Sequence, residues 1–273
     1  MRIPRALTLA PGWALTQAWI WRGGRSFIVM HTGRVGSVVL GHMLGEHPQV
    51  LFDYDPLHRR RADWVRAHGP DQLWREDPRW ELMRRPWRAR RRVYGVVVKP
   101  GNFDSSPLAW ENALAFLARS LRPKRLAMTR RNLLRQIISG CRALEVDQWH
   151  VPAGATPSGQ TLQAHPDRLP RYFGGTYTLA EALAEREAMT AKAAAAAAEV
   201  KAEGLHLVYE EHLEADPYLG YTLACQLIGV TPDPAARPKL VKTGNRPVSE
   251  LVSRPEDWRA ALRGTPWEWM FDA

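Results

Sequence analysis

The chain has 273 residues and a formal net charge of +10, with 45% hydrophobic and 24% charged residues, which is the profile of a folded globular protein. Its two cysteines, Cys141 and Cys225, form no CxxC pair, which excludes a disulfide framework and a cysteine zinc site. The basic excess predicts an anionic partner without choosing between nucleic acid, lipid, glycan and a phosphorylated cofactor.

Residues 1–25 precede the first predicted strand and form the N-terminal extension of a single domain, 1–273. Pro11 and Gly12 break this stretch, which is too short for a membrane span and lacks the apolar region of a signal peptide. For Trp13, Trp19 and Trp21 we favour packing on the domain over peripheral contact with a membrane. With two free thiols, these features predict a cytoplasmic protein.

Apolar runs alternate with helical patterns along the rest of the chain. Strands are predicted at 26–30, 50–52, 94–98, 125–129 and 205–209, and helices at 35–44, 108–121, 132–144, 178–203 and 216–228. Residues 59–92 are rich in Arg and Trp with poor periodicity, and 151–175 form a long loop rich in Pro, Gly and Thr. The alternation indicates a mainly parallel α/β sheet.

The turn after the first predicted strand reads HTGRVGS at residues 31–37 and runs directly into a helix. Such a turn directs backbone N–H groups and the positive end of a helix dipole at an anion. Gly36 allows close backbone approach, and Arg34 can donate several hydrogen bonds to phosphate or sulfate oxygens. The Lys-Ser/Thr pair of a Walker A loop is missing, which disfavours an ATP-driven reaction. An ordinary strand-to-helix turn is the alternative interpretation.

A second candidate segment follows the fourth predicted strand. Arg131 stands at the strand end, and Ser139 lies eight residues later, about two turns along the next helix. This spacing lets a guanidinium and a hydroxyl face one phosphate. The alternative is a surface arginine followed by a polar residue within a helix.

In this order, the two segments resemble the sulfotransferases that use 3′-phosphoadenosine 5′-phosphosulfate (PAPS). Residues 32–37 resemble the family's loop for the 5′-phosphosulfate, and Arg131 with Ser139 resembles its 3′-phosphate site. Further matches are DPLH at 55–58, VYEEHL at 208–213 and LRGTPWEW at 262–269, so the resemblance covers 26–60, 94–150 and 205–269.

The resemblance implies a P-loop NTPase-like, three-layer α/β fold. It implies transfer of a sulfuryl group from PAPS to a hydroxyl or amine, with 3′-phosphoadenosine 5′-phosphate as product and no metal. The donor is then expected to bind Thr32, Gly33, Arg34, Val35, Gly36, Ser37, Arg131 and Ser139, with Lys242, Thr243 and Gly244 closing over the nucleotide. Arg34 is expected to stabilise charge on the leaving phosphate.

The acceptor needs a base, and Asp55 is the first candidate because a carboxylate after the first helix can reach it. His58 is the second candidate and Asp53 the third. Lys99 ends the third predicted strand, where open α/β sheets place ligand groups, and is expected to hold the acceptor or the sulfuryl group. The alternatives are a helix N-cap for Asp55, an ordinary histidine for His58 and a solvated lysine for Lys99. Glu210 is interpreted as a brace at the sheet end.

Segments 59–92 and 151–203 are expected to be acceptor-side insertions. The Arg and Trp residues of 59–92 suit a glycan, glycolipid or other small acceptor, because Trp stacks on sugar faces and Arg pairs with acidic groups. A solvated basic face is the alternative for this region. Nucleic acid is not expected as a partner.

Three rival functions stay open. A basic nucleic-acid-binding module explains the charge but not two ordered phosphate segments at strand ends. A kinase-like P-loop enzyme is disfavoured by the missing Lys-Ser/Thr pair. A degenerate, inactive relative is the third, because Val35 and Val38 stand where many family members carry Ser or Thr.

Overall fold

The computed structural model describes residues 5–69, 78–83, 85–90, 92–103, 109–155, 158–171, 174–199, 203–240 and 246–273. Its strands are β1 Ser26–Met30, β2 Val50–Asp53, β3 Val93–Val98, β4 Lys124–Thr129, β5 Leu169–Pro170, β6 Thr176–Tyr177 and β7 Gly204–Val208. Its α-helices are α1 Arg5–Trp21, α2 Ser37–Glu46, α3 Pro56–His68, α4 Arg79–Met83, α5 Trp110–Leu121, α6 Leu133–Val146, α7 Leu179–Glu199, α8 Tyr209–His212, α9 Pro217–Ile228, α10 Val248–Leu251 and α11 Pro255–Leu262. Single 3-10 turns occupy Pro86–Ala89, Pro100–Asn102 and Glu268–Phe271.

Five strands form one parallel sheet in the order β2-β3-β1-β4-β7, which confirms the predicted parallel α/β architecture. Every residue of β1 and of β3 is buried, as expected for central parallel strands with helices on both faces. In the register, Met30 of β1 lies beside Val98 of β3 and Ala127 of β4.

The side chains of β1 alternate between two cores. Ile28 and Met30 belong to a first core with residues of α1, α3, α4 and α5, whereas Phe27 and Val29 belong to a second core with residues of α2 and α9. A third core contains no strand of the large sheet. It joins α6 and α7 to the C-terminal segment through Leu134, Leu183, Trp258 and Met270, among others.

The N-terminal extension, for which no helix is predicted, contains α1. Trp19 of this helix is buried and its indole N–H donates to the carbonyl of Arg90 at 2.7 Å, and the Thr16 hydroxyl donates to that of Met83 at 2.9 Å. Packing on the domain, the favoured interpretation, therefore holds for Trp19. Trp13 and Trp21 are exposed. Within the described chain, no helix has the length and apolar character needed to cross a membrane.

The other predicted element boundaries agree with the structure to within a few residues, and one predicted strand residue has a different conformation. The strand predicted to run to Tyr209 ends at Val208, and Tyr209 instead opens the one-turn helix α8. The loop at 151–175 is largely irregular, as predicted, and ends in the short antiparallel pair β5 and β6.

Candidate functional site

The parallel strands all end at one edge of the sheet, so the segments that follow them lie side by side there. Residues 31–36 follow β1, Asp55 lies just after β2, Lys99 follows β3, Arg131 follows β4 and Glu210 follows β7. This edge is where open α/β sheets hold ligands.

The turn between β1 and α2 has the backbone of an anion cradle. Gly33, Arg34 and Gly36 have φ angles of 93°, 56° and 78°, and α2 begins immediately afterwards at Ser37. A Cβ on Gly36 would approach the Tyr209 ring to 2.9 Å, so this position requires glycine. A Cβ on Gly33 would meet no atom within 4 Å, which leaves open space above the turn. The left-handed conformation of Arg34 is uncommon for a residue with a side chain and is typical of functional turns.

Arg34 connects the two candidate phosphate segments. Its Nε and Nη2 atoms donate to Oγ of Ser139 at 2.9 and 2.7 Å, and Nη1 donates to the carbonyl of Trp149 at 3.2 Å. Burial lowers the pKa of this guanidinium from its ordinary value. Within the described residues, Arg34 has no carboxylate partner, so its charge is met only by neutral oxygens.

Arg131 does not join this contact. Its side chain is 58% exposed and forms an ion pair with Glu211. The neighbouring Arg130 faces the turn instead: it lies over the Tyr209 ring at 4.4 Å and donates to the carbonyl of Arg34 at 3.5 Å. The sequence prediction that Arg131 and Ser139 face one phosphate therefore differs from the observed side-chain positions.

Glu210 fixes the backbone between β4 and α6, where Arg130 and Arg131 lie. Its carboxylate accepts hydrogen bonds from the backbone N–H groups of Arg131 and Asn132 at 3.0 and 3.1 Å. This agrees with its interpretation as a brace. With these two N–H groups fixed, the Arg131 side chain extends towards Glu211 and Arg130 towards the turn.

Asp55 and Lys99, two of the predicted catalytic residues, form an ion pair between a buried carboxylate and a half-buried ammonium group. Asp55 also accepts from Nδ2 of Asn102 at 2.8 Å and from the backbone N–H of His58 at 3.3 Å, so it also begins α3 as an N-cap. Burial alone would raise the pKa of Asp55, but the charge and hydrogen bond of Lys99 and the bond from Asn102 bring it below its ordinary value. The carboxylate is thus fully ionised and fully partnered.

The second and third candidate bases are placed differently. Asp53 accepts from Nη1 of Arg85 at 2.8 Å and from the Tyr94 hydroxyl at 2.9 Å. A carboxylate used in this way braces β2, β3 and the segment before Pro86–Ala89, which argues against its role as a base. His58 lies in the first turn of α3, half-buried, beside Asp55.

His31 is a site residue that the sequence prediction did not single out. It follows Met30, so the sheet register places it next to Lys99 at the ends of adjacent strands. Its ring is 1% exposed, and Nδ1 accepts the N–H of Gly33 at 2.9 Å. Burial, followed by the charge of Lys99, lowers its pKa well below the ordinary value, so the ring is neutral with its proton on Nε2. That buried Nε2 has no hydrogen-bond partner in the described structure.

Two further residues hold the turn from the other side. Arg186 of α7 donates to the carbonyl of Thr32, and Nε2 of Gln136 donates to that of Gly33 at 2.8 Å. Burial lowers the pKa of Arg186, which has no carboxylate partner within the described part of the chain. Gln136 lies one helical turn before Ser139, so both side chains are on the same face of α6. This spacing would have identified Gln136 as a candidate site residue. Arg186 lies 154 residues from Thr32, and no local sequence signal marks it.

The remaining predicted donor residues are divided. Val35 is fully buried in the second core. A Ser or Thr at this position would therefore face the core and not the anion cradle. Val38 is half-buried. Ser37 is buried with its hydroxyl 3.4 Å from that of Tyr54, and Thr32 is half-buried. Lys242, Thr243 and Gly244 lie outside the described residues.

A shallow depression of about 700 Å³ involves the predicted acceptor-side segment 151–203. Glu145, Val146, Gly159, Gln160, Thr161 and Gln163 line it, and none of them is a predicted donor residue. The depression therefore does not identify an acceptor.

The site as a whole is an anion cradle with an excess of positive charge. Arg34 lies in the turn and Arg186 donates to it, and neither has a carboxylate partner among the described residues. The buried Nε2 of His31 likewise has no hydrogen-bond partner there. Such an arrangement can bind an oxyanion without a metal ion contributing the charge. No protein-family model matches the chain, and the search of curated proteins returns no relative.

Proposed function

We propose that the chain is a PAPS-dependent sulfotransferase with a P-loop NTPase-like fold. It transfers the sulfuryl group to a hydroxyl or amine of a glycan, glycolipid or other small acceptor. The contact between Arg34 and Ser139 supports this proposal most directly, because it joins the two segments that resemble the family's 5′ and 3′ phosphate sites. A nucleotide phosphorylated at both ends needs two such segments in one continuous site.

In the proposed reaction, the acceptor oxygen forms a bond to sulfur while the bond between sulfur and the 5′-phosphate oxygen breaks. The acceptor proton passes to a base, and 3′-phosphoadenosine 5′-phosphate leaves. The N–H groups of the turn and the dipole of α2 hold the 5′-phosphate, and Arg34 stabilises the charge that it gains. Arg131 turns from Glu211 to the 3′-phosphate beside Ser139.

Lys99 and Asp55 act together in this proposal. When the donor binds, Lys99 moves from Asp55 to the oxygens of the sulfuryl group, and the freed carboxylate accepts the acceptor proton. The neutral His31 donates a hydrogen bond from its Nε2–H to a sulfuryl oxygen and keeps its proton, which gives this buried N–H the acceptor that it lacks.

The same ion pair favours a second candidate function, a nucleotide-binding protein without catalytic activity. Asp55 is ionised but already partnered by Lys99 and Asn102, so a rigid pair would leave the acceptor without a base. Binding and transfer therefore have to be measured separately.

Binding is tested by calorimetric titration with 3′-phosphoadenosine 5′-phosphate and with AMP. The bisphosphate is expected to bind at least about tenfold more tightly, because a charged hydrogen-bonded contact contributes about 1.5–3 kcal/mol. Arg131→Ala should abolish this preference, and Arg237→Ala, which removes an exposed arginine on another element, should preserve it. Equal binding of AMP and the bisphosphate to the unaltered chain would reject the donor.

Transfer is tested with ³⁵S-labelled PAPS and fractionated extract as the source of acceptors. Arg34→Ala should lower turnover by about 100-fold and donor affinity much less, as expected for a group that acts on the transition state. Bisphosphate binding without label transfer to any fraction would select the inactive nucleotide-binding protein.

A further inference from the structure

Helix α1 carries an exposed apolar face, which we call the tryptophan face and which consists of Trp13, Ala14, Leu15, Ala18 and Trp21. Trp21 is 89% exposed, Trp13 49% and Leu15 47%. At about 100° per residue, the five positions span about 200° of the helix circumference. The face therefore leaves two tryptophans and a leucine in contact with water, with the half-buried Gln17 between the two tryptophans.

The opposite side of α1 fixes the helix to the domain. Thr16 and Trp19 are buried and bonded to the carbonyls of Met83 and Arg90. Gln17, which lies between Trp13 and Trp21 around the helix, adds a third attachment by donating to the carbonyl of Ser120 at 3.3 Å. Because one side is held against α4, α5 and residues 86–90, the tryptophan face is presented outward by a rigid support. The side chains of the tryptophan face are therefore exposed on a helix that is attached to the domain.

Exposed arginines lie near α1. Arg22 continues directly from α1, and Arg88, Arg90 and Arg92 lie in the segment that α1 packs against; all four are exposed. No ion pair neutralises these four within the described residues. The sequence contains no acidic residue before Glu46 and none between 86 and 103.

Exposed tryptophans on a helix that is followed by Arg22 and packed against an arginine-rich segment fit the boundary between headgroups and acyl chains of an anionic bilayer. We propose that the tryptophan face binds the surface of membranes that contain anionic lipids, with α1 lying in the plane of the headgroups. This surface acts independently of the donor site. It holds the chain at the membrane through apolar burial of Trp13 and Trp21 and through attraction of the arginines to lipid phosphates.

The test is co-sedimentation of the full chain with vesicles of phosphatidylcholine alone and with about one-third phosphatidylserine. The chain should bind the anionic vesicles, and added salt should weaken the binding. Trp13→Ala with Trp21→Ala should lower the partition coefficient at least about tenfold, since each indole buries apolar surface. The matched control is Trp269→Ala, which removes a tryptophan that is 51% exposed on the Glu268–Phe271 turn and should bind as the unaltered chain does.

Thermal unfolding of the double variant checks that the exposed substitutions leave the fold intact. Equal binding to both kinds of vesicle, or an equal loss in Trp269→Ala, would overturn the proposal. Sedimentation velocity without lipid provides a further check. If the unaltered chain formed a dimer and the double variant were a monomer, the proposal would also be overturned, because the tryptophan face would then bind a second copy of the chain.

Discussion

His31 is held neutral by burial beside two cations. Protonation of Nδ1 would break its bond with the Gly33 N–H and place a third positive charge near Lys99 and Arg186. In the unfolded chain a histidine takes up a proton near pH 6.5. Below that pH the unfolded state binds a proton that the native state does not, so this residue makes the native state less stable as pH falls.

His31→Asn tests this argument, because the amide oxygen can still accept the Gly33 N–H but cannot titrate. Between about pH 6.5 and 5, the free energy of unfolding should fall less steeply in the variant, by at most about 1.4 kcal/mol per pH unit. Urea unfolding at a series of pH values measures the slope. His206→Asn, at an exposed histidine, provides the control, and a His31→Asn slope equal to that of the unaltered chain would show that the ring is not held neutral.

Candidate site residues could be identified from the sequence where the residue type and its spacing indicate anion binding. Arg34 and Ser139 are both predicted site residues and contact each other, although the sequence paired Ser139 with Arg131. The choice between Arg130 and Arg131 was not predictable, because it depends on Glu210 capturing two backbone N–H groups from another strand end. His31 had a usable signal, a titratable residue directly after a fully buried strand.

At the scale of elements, the one-turn helix α8 fixes the beginning of α6. Glu210 places a negative charge at the positive end of the α6 dipole and accepts hydrogen bonds from the N–H groups of Arg131 and Asn132, the two residues before the helix. Glu211, one residue later, pairs with Arg131 at the surface, where both side chains are about half exposed. The two adjacent carboxylates therefore have different effects on stability.

Glu210→Gln should lower the free energy of unfolding by about 1 kcal/mol more than Glu211→Gln, because exposed ion pairs contribute little. Urea unfolding of both variants at pH 7 measures the difference. Glu211→Gln also removes the carboxylate that competes for Arg131, so under the proposed function it should strengthen binding of 3′-phosphoadenosine 5′-phosphate. Equal stabilities would contradict the bracing role of Glu210, and weaker binding by Glu211→Gln would contradict the assigned role of Arg131.

Elements were predictable where an apolar run or a capping pair defines them. Strands β1 and β3 are near-continuous apolar runs, and α9 begins after Asp216 and ends before Gly229, as its caps indicate. Helix α1 was not predictable because Pro11 and Gly12 oppose it locally, and its contacts with α4 and residues 86–90 come from distant parts of the chain. Tertiary packing of this kind overrides local propensity.

At the scale of the whole molecule, the third core stands apart from the sheet. It is built from α6, α7 and the C-terminal segment, and no strand of the five-stranded sheet contributes to it. Asn132 and Arg135 tie α6 to the chain end by donating to the carbonyls of Met270 and Ala273 at 2.8 and 3.0 Å. Since α6 also carries Ser139, the third core supports one half of the candidate site.

A core that shares no strand with the sheet can open without unfolding it. Trp258 is fully buried in the third core, and its indole N–H has no partner among the described residues. Trp258→Phe leaves a cavity and should lower the free energy of opening α10 and α11 by about 1–2 kcal/mol. Hydrogen exchange read by mass spectrometry should then show faster exchange of α10, α11 and Glu268–Phe271, with β1 and β3 unchanged.

Val97→Ala is the matching control, because Val97 is fully buried in β3 and belongs to the second core. Its cavity lies between the sheet and the helices of the second core, so exchange should accelerate in β1 and β3 and change little in α10 and α11, which open without unfolding the sheet. If Trp258→Phe instead accelerated all elements equally, the three cores would unfold as one cooperative unit. In that case α6 would lose its C-terminal support only when the sheet and the turn at Arg34 also unfold. The position of Ser139 would then depend on the stability of the entire chain.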